Sequence, residues 1–294
     1  MCYIITSAEY LVILFMSRFF TFCVLALFSS LSWSQNMVIS THPIYLIAQE
    51  ITQGIEKPTL LLADQSGHDV TLTPVHRKMI QDAEIVIWLG KAHEAPLDKL
   101  LSNNPKAISI LASDIVQVLP QRNAQGAALN NTVDTHVWLD PNNAVRIGFF
   151  IAALRSQQQP EHKEAYWANA RRFAQQMLMA AQRYNSHAKA RAYWSYHDAY
   201  QYLERAVNLK FAGALTDDPH VAPTIAQIKY LNQSRPNQNM CLLAEGHTSK
   251  NQYQKLNPIT FQAVDESMSG EKNFIAAWKK LADQTHKCVL NTQK

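Results

Sequence analysis

The stretch Asp134-Thr135-His136-Val137-Trp138-Leu139-Asp140-Pro141 decides how the chain is read. Thr135 to Leu139 is a short apolar run carrying one imidazole and reads as the end of a strand. Asp140-Pro141 stops that strand and opens a helix over Asn142 to Leu154. Two further histidines have comparable surroundings: His68 in Leu62-Ala63-Asp64-Gln65-Ser66-Gly67-His68-Asp69, and His197 in Tyr193-Trp194-Ser195-Tyr196-His197-Asp198-Ala199-Tyr200. Each follows a β-like apolar run and precedes a helix-like one, the position at which open α/β sheets collect ligands. The three imidazoles are expected to converge on a metal ion.

Toward the N-terminus, Met37 to Thr41 reads as a first strand, His42 to about Thr52 as an amphipathic helix, and Pro58 to Ala63 as a second strand. Pro74 starts a helix reaching Ala83, Glu84 to Leu89 is a buried-looking strand closed by Gly90, and Ala107 to Leu111 is another. Residues 120–133 form a polar loop without periodicity. From Glu161 to about Lys189, Tyr166, Ala170, Phe173, Met177, Ala181 and Tyr184 recur at three- and four-residue spacing. That predicts one unbroken helix of about 40 Å, longer than one small domain needs. Beyond it, strands at Ala192–Tyr196, Phe211–Leu215, Cys241–Ala244 and Ile259–Val264 alternate with helices at Tyr200–Val207, Pro223–Asn232 and Glu271–Lys287. The fold class is α/β: two lobes, each a mostly parallel sheet flanked by helices, joined by one long backbone helix. The expected divisions are a signal peptide at 1–34, an N-terminal metal-binding lobe at 35–159, a connecting helix at 160–190 and a C-terminal metal-binding lobe at 191–294.

Composition agrees with two globular lobes: 294 residues, 47% hydrophobic and 17% charged. The formal charge of +4 is spread along the chain without a basic block, so nucleic acid is not an expected partner. Phe19 to Leu31 is an apolar core preceded by Ser17-Arg18 and followed by Ser32-Trp33-Ser34, the pattern of a cleaved secretory signal. Its uninterrupted run falls short of the ~20 residues a membrane span needs. Translation starting at Met16 rather than Met1 gives the leader its usual positive beginning, and the mature chain is expected near Gln35, as a soluble monomer. Cys2 and Cys23 fall in the removed segment. Cys241 and Cys288 remain, and pairing is the expectation for two thiols in an oxidising compartment.

Three neutral imidazoles and one carboxylate suit Zn(II), although copper or nickel is also compatible with nitrogen ligands, and a carboxylate-rich site suits manganese better. A histidine at a strand end is more often an ordinary hydrogen-bonded residue than a ligand. Here Asp69, Asp140 and Asp198 each stand beside one of the three and are expected to orient the rings. A zinc hydrolase is the competing use of such a site, but neither His-Glu-x-x-His nor Gly-x-Ser-x-Gly occurs.

Gly67-His68-Asp69-Val70-Thr71-Leu72-Thr73-Pro74, Ala83-Glu84-Ile85-Val86-Ile87-Trp88-Leu89-Gly90, His136-Val137-Trp138-Leu139-Asp140-Pro141 and His197-Asp198-Ala199-Tyr200 resemble the motifs of periplasmic zinc-binding receptors of ABC importers. The resemblance implies two α/β lobes with the metal in the cleft between them and an ABC-type metal permease of the inner membrane as partner. It implies His68 and His136 as first-lobe ligands, His197 from the second lobe, and Asp265 in Val264-Asp265-Glu266-Ser267-Met268 completing or adjoining the site. Glu245 resembles a family glutamate near the cleft, with a buried ion pair or a cap as the plainer role. Cys241 and Cys288 fall where zinc-type members carry their disulfide. Two departures stand out: residues 120–133 lack the His- and acid-rich loop of many zinc-type members, and Gly67 stands where some have a ligating glutamate. Manganese-type relatives usually carry glutamate at the position of His197, so this histidine favours zinc. A manganese or broad divalent-metal receptor, or an adhesin of the same family, is the alternative.

Overall fold

The computed structural model describes residues 36–63, 71–184, 189–246 and 248–292. The expected leader, with Met1, Met16, Cys2 and Cys23, lies outside the described residues, as do Gly67, His68, Asp69 and His247.

The first lobe runs β1 (Met37–Ile39), α1 (His42–Thr52), β2 (Thr59–Leu60), α2 (Pro74–Asp82), β3 (Ile85–Trp88), the one-turn α3 (Asp98–Leu101) and β4 (Ala107–Ser109). Its strands pair in parallel in the order β2-β1-β3-β4. The central strands β1 and β3 are buried on both faces, which is why their sequences are continuous apolar runs rather than alternating ones. Met37, Ile39, Ile85 and Ile87 join the central core, while Val38, Val86 and Trp88 pack with Leu61, Ile80 and Leu97 on the other face.

Two long helices follow, α4 (Pro141–Gln158) and α5 (Lys163–Gln182), connected through a 3-10 turn at Pro160–His162. The second lobe then runs β5 (Arg191–Ser195), α6 (Gln201–Val207), β6 (Leu209–Ala214), α7 (Ile225–Gln233), β7 (Met240–Ala244), β8 (Ile259–Ala263) and α8 (Phe274–Asn291). Its sheet repeats the pattern of the first, β6-β5-β7-β8, all parallel. Cys241 on β7 is disulfide-bonded to Cys288 on α8. Trp138, Tyr166, Phe173, Met177, Phe274 and Trp278 belong to one apolar core that runs through both lobes. At roughly 1.5–3 kcal/mol per fully buried large side chain, that seam holds the lobes together far better than a bare linker. In each sheet the winding reverses, between β1 and β3 and between β5 and β7, which opens a crevice at the strands' carboxyl ends.

Two local expectations are corrected. Of the helix expected from Glu161 to Lys189, Lys163–Gln182 is α-helix, 20 residues and about 30 Å, 183–184 form a turn, and 185–188 lie outside the described residues. Tyr184 continues the apolar period, but its hydroxyl donates to Asp283 of α8 (2.6 Å) and its ring meets Trp278, so packing persists where the helix stops. Thr135 to Leu139 is not a strand end: Val137–Leu139 is a 3-10 turn. Its polar groups are met from elsewhere, with Trp138 Nε1 donating to the Glu266 carbonyl (2.8 Å) and Trp278 Nε1 donating to the Leu139 carbonyl (2.9 Å). The apolar run reflects burial between the lobes rather than pairing in a sheet.

Candidate metal centre

The carboxyl end of β5 carries His197. Tyr196 N–H donates to the Leu243 carbonyl (2.8 Å), and a tight turn with Ala199 N–H on the His197 carbonyl (3.0 Å) leads into α6. This places a buried imidazole at the crevice.

His136 reaches the same place from the connector before α4. Its backbone N–H donates to Asp134 Oδ1 (3.1 Å) and its ring Nδ1 lies 2.8 Å from the same oxygen. A carboxylate on Nδ1 fixes the tautomer in which Nε2 is the ligating nitrogen. Burial disfavours the charged ring, but the bond and charge of Asp134, with Glu266 and Asp198 nearby, outweigh it, so the His136 pKa lies above its ordinary value. Asp140, expected to orient this ring, instead caps α4 by accepting from Asn142 N–H and Asn143 N–H. The orienting carboxylate is Asp134, two residues before the histidine rather than four after it. Asp198, likewise, holds Arg122 through two bonds of 2.7 and 2.8 Å.

Beyond β8 two consecutive carboxylates part company. Asp265 is exposed, and its two oxygens accept from the N–H and hydroxyl groups of Ser267 (3.0 and 2.6 Å) and Ser269 (2.7 and 2.7 Å). Glu266 turns inward and is buried; Oε2 has no hydrogen-bond partner among the described residues. Burial, with Glu245 adding repulsion, pushes its carboxyl up to about 7. One ligand atom each from His136, His197 and Glu266 lie within 4.8 Å of one another. A tetrahedral zinc shell with ~2.0–2.1 Å bonds has ligand–ligand edges of roughly 3.4 Å, so these atoms need move by no more than about 1 Å to close on an ion.

His136 and Glu266 of this cluster line a cavity of about 910 Å³ whose lining also includes His42, His93, Trp138, Glu245 and Asp265. His93 escaped the sequence reading. It is buried, its Nδ1 lies 2.8 Å from Thr135 Oγ1, and its ring meets those of His136 and Trp138 edge-on. The signal was present in the sequence, since His93 follows the apolar β3 and Gly90 and precedes a helical turn, the surroundings by which the other histidines were singled out. Its neighbour Glu94 is fully buried and pushed up to about 7 by burial while accepting from Leu89 N–H (2.8 Å) and Gly90 N–H (3.3 Å).

Two parallel α/β lobes around a crevice lined with imidazole and carboxylate define a two-lobed metal-binding receptor. Residues 37–288 match the family described as zinc-uptake complex component A, periplasmic (ZnuA), and the chain belongs to that family. Its members are metal-binding transport receptors, not a class of enzyme. The high-affinity zinc uptake system protein ZnuA of Yersinia pestis is 28% identical over 240 residues, covering 72% of this chain and 76% of its own length. Its counterpart in Brucella abortus is 25% identical over 241 residues, covering 67% and 72%. Among solved structures, a zinc-bound AdcAII variant of Streptococcus pneumoniae superposes with a TM-score of 0.72 at 19% identity, covering 87% of this chain and 98% of that one. The SBP FpvC of Pseudomonas aeruginosa in complex with Mn2+ reaches 0.73 at 17% identity, covering the same shares. At such identities the superpositions describe the fold.

Proposed function

We propose that the chain is a periplasmic receptor that captures Zn(II) between its lobes and delivers it to an ABC-type permease of the inner membrane. The observation that carries this reading is the convergence of His136, His197 and Glu266 within 4.8 Å. His68, outside the described residues, is the further first-lobe ligand expected from its motif. With it the shell holds three nitrogens and one oxygen, which favours zinc; Asp265 adjoins the site one residue from Glu266. The lobes correspond to residues 35–159 and 191–294 with the connector 160–190 between them, and the mature monomer begins near Gln35 once 1–34 is removed. Intact-mass analysis of exported protein is expected to give that start. Retention of the leader would overturn the periplasmic assignment.

A manganese or broad divalent-metal receptor is the second reading, favoured by the buried carboxylate of Glu266 in the cluster. A competition titration separates the two: zinc is expected to displace manganese completely, and equal retention of manganese would sink the zinc assignment. The pH dependence has a defined sign. The ligands bind metal in their deprotonated forms, and both the His136 imidazole and the Glu266 carboxyl have raised pKa values, the latter about 7. Zinc binding therefore releases protons, and apparent affinity is expected to fall as pH drops through about 7 toward 5.5. Calorimetry in buffers of different ionisation enthalpy reads the proton release directly. A pH-independent affinity over that range would contradict the ligand set.

A further inference from the structure

We propose that Arg122 is a positioning residue for the metal site, acting from residues 120–133, which cross from the first half of the chain to clamp the turn that carries His197. This inference rests on the metal-receptor reading above. The segment folds on itself through a bridge between Arg122 and Ala128, with Asn123 Oδ1 accepting from Gln125 N–H (3.1 Å) and Ala127 N–H (2.9 Å). It then lies on the edge of the second sheet. β6 is an outer strand, and Ala214 N–H at its end donates to the Ala124 carbonyl (2.9 Å), which also accepts from Gln227 Nε2 (3.2 Å). The approach depends on Gly213, at φ +132°: a Cβ there would sit 2.5 Å from Leu231 and 3.2 Å from the Ala124 oxygen.

On this platform the Arg122 guanidinium lies over the Phe211 ring, 4.3 Å from its centroid. Nε and Nη2 grip the two oxygens of Asp198 at 2.7 and 2.8 Å, and Nη2 also donates to Glu204 at 2.6 Å. Asp198 follows His197 directly, so a two-point hold on its carboxylate fixes the orientation of the turn that presents the imidazole. The residues flanking this segment, Leu119 and Asp134, reach the other histidine. Leu119 N–H donates to the Tyr202 hydroxyl (2.8 Å), which donates to the Asp134 carbonyl (2.9 Å), and Asp134 holds His136. This stretch and its flanks thus tie the Asp198 carboxylate and the Asp134 backbone, each beside one imidazole, into one frame. Removing Arg122 leaves Asp198 and Glu204 without their shared cation and loosens that frame.

The test uses the purified mature chain with Arg122→Ala and Arg122→Lys. Three quantities are read: the zinc dissociation rate into excess chelator, the visible spectrum of the Co(II)-loaded protein, and the melting temperature without metal. Arg122→Ala is expected to release zinc faster, by up to about tenfold to a hundredfold if the affinity loss typical of an outer-shell change falls on the off-rate, with an altered Co(II) spectrum. Arg122→Lys keeps the charge but lacks the planar fork, so it should recover most of the melting temperature and only part of the retention. A merely structural role would lower the melting temperature and leave release and spectrum untouched; that result overturns the proposal. If Arg122→Ala does not fold, Arg122→Lys decides, and parental release and spectrum in it overturn the proposal equally. The unsubstituted protein reads the receptor assignment independently: absence of divalent-metal binding there removes both readings, whereas normal binding with unaltered variants removes only the role of Arg122.

Discussion

His136→Ala and His197→Ala are each expected to lower zinc affinity at least about 100-fold, the upper end of what losing even an outer-shell partner costs. Stabilisation by a bound ion follows mass action: at free zinc about 1,000 times the dissociation constant it amounts to ~4.1 kcal/mol. A hundredfold loss removes ~2.7 kcal/mol of this, and at roughly 2–4 °C per kcal/mol the zinc-induced rise in melting temperature shrinks by about 5–10 °C. His68→Ala is expected to behave likewise. The two carboxylates beyond β8 should separate: Glu266→Gln keeps size but removes the buried anion among the imidazoles. Asp265→Ala removes a carboxylate already occupied by Ser267 and Ser269. The larger loss is therefore expected from Glu266→Gln. Glu245→Ala and His247→Ala serve as controls with near-parental binding. Calorimetric zinc titration of the series decides: parental affinity in His197→Ala combined with loss in His247→Ala would move the second-lobe ligand to residues 245–248.

The second large effect is on stability alone. The Cys241–Cys288 bond closes a loop with a sequence separation of 47, for which chain entropy gives about 4 kcal/mol of stabilisation. Replacing both cysteines by alanine is expected to lower the melting temperature of the metal-free protein by roughly 8–16 °C. Both sulfurs lie in the core behind β7, and neither cysteine lines the metal cavity, so zinc affinity should remain close to parental. A melting temperature within about 2 °C of the parent would show that the denatured chain is already compact in this region.

The alternation of apolar runs with helical periods was sufficient, by itself, to determine two parallel α/β lobes, because parallel strands require a crossover and central strands buried on both faces leave continuous apolar runs. It also placed His136 and His197 at element junctions, while the pairing of Cys241 with Cys288 was expected from two thiols left in an oxidising compartment. Three-dimensional packing decided the rest. Which of two adjacent carboxylates faces the imidazoles depends on how the chain leaves β8: Asp265 is taken up by two serines and Glu266 is turned inward, and no spacing rule distinguishes them. Asp134 rather than Asp140 holds His136 because Asp140 is consumed in capping α4. Arg122 finds Asp198 and Glu204 across 76 and 82 residues of sequence. Local periodicity reports which side of an element is buried, whereas the partner of a buried polar group is set by whichever distant segment the fold brings within hydrogen-bond reach.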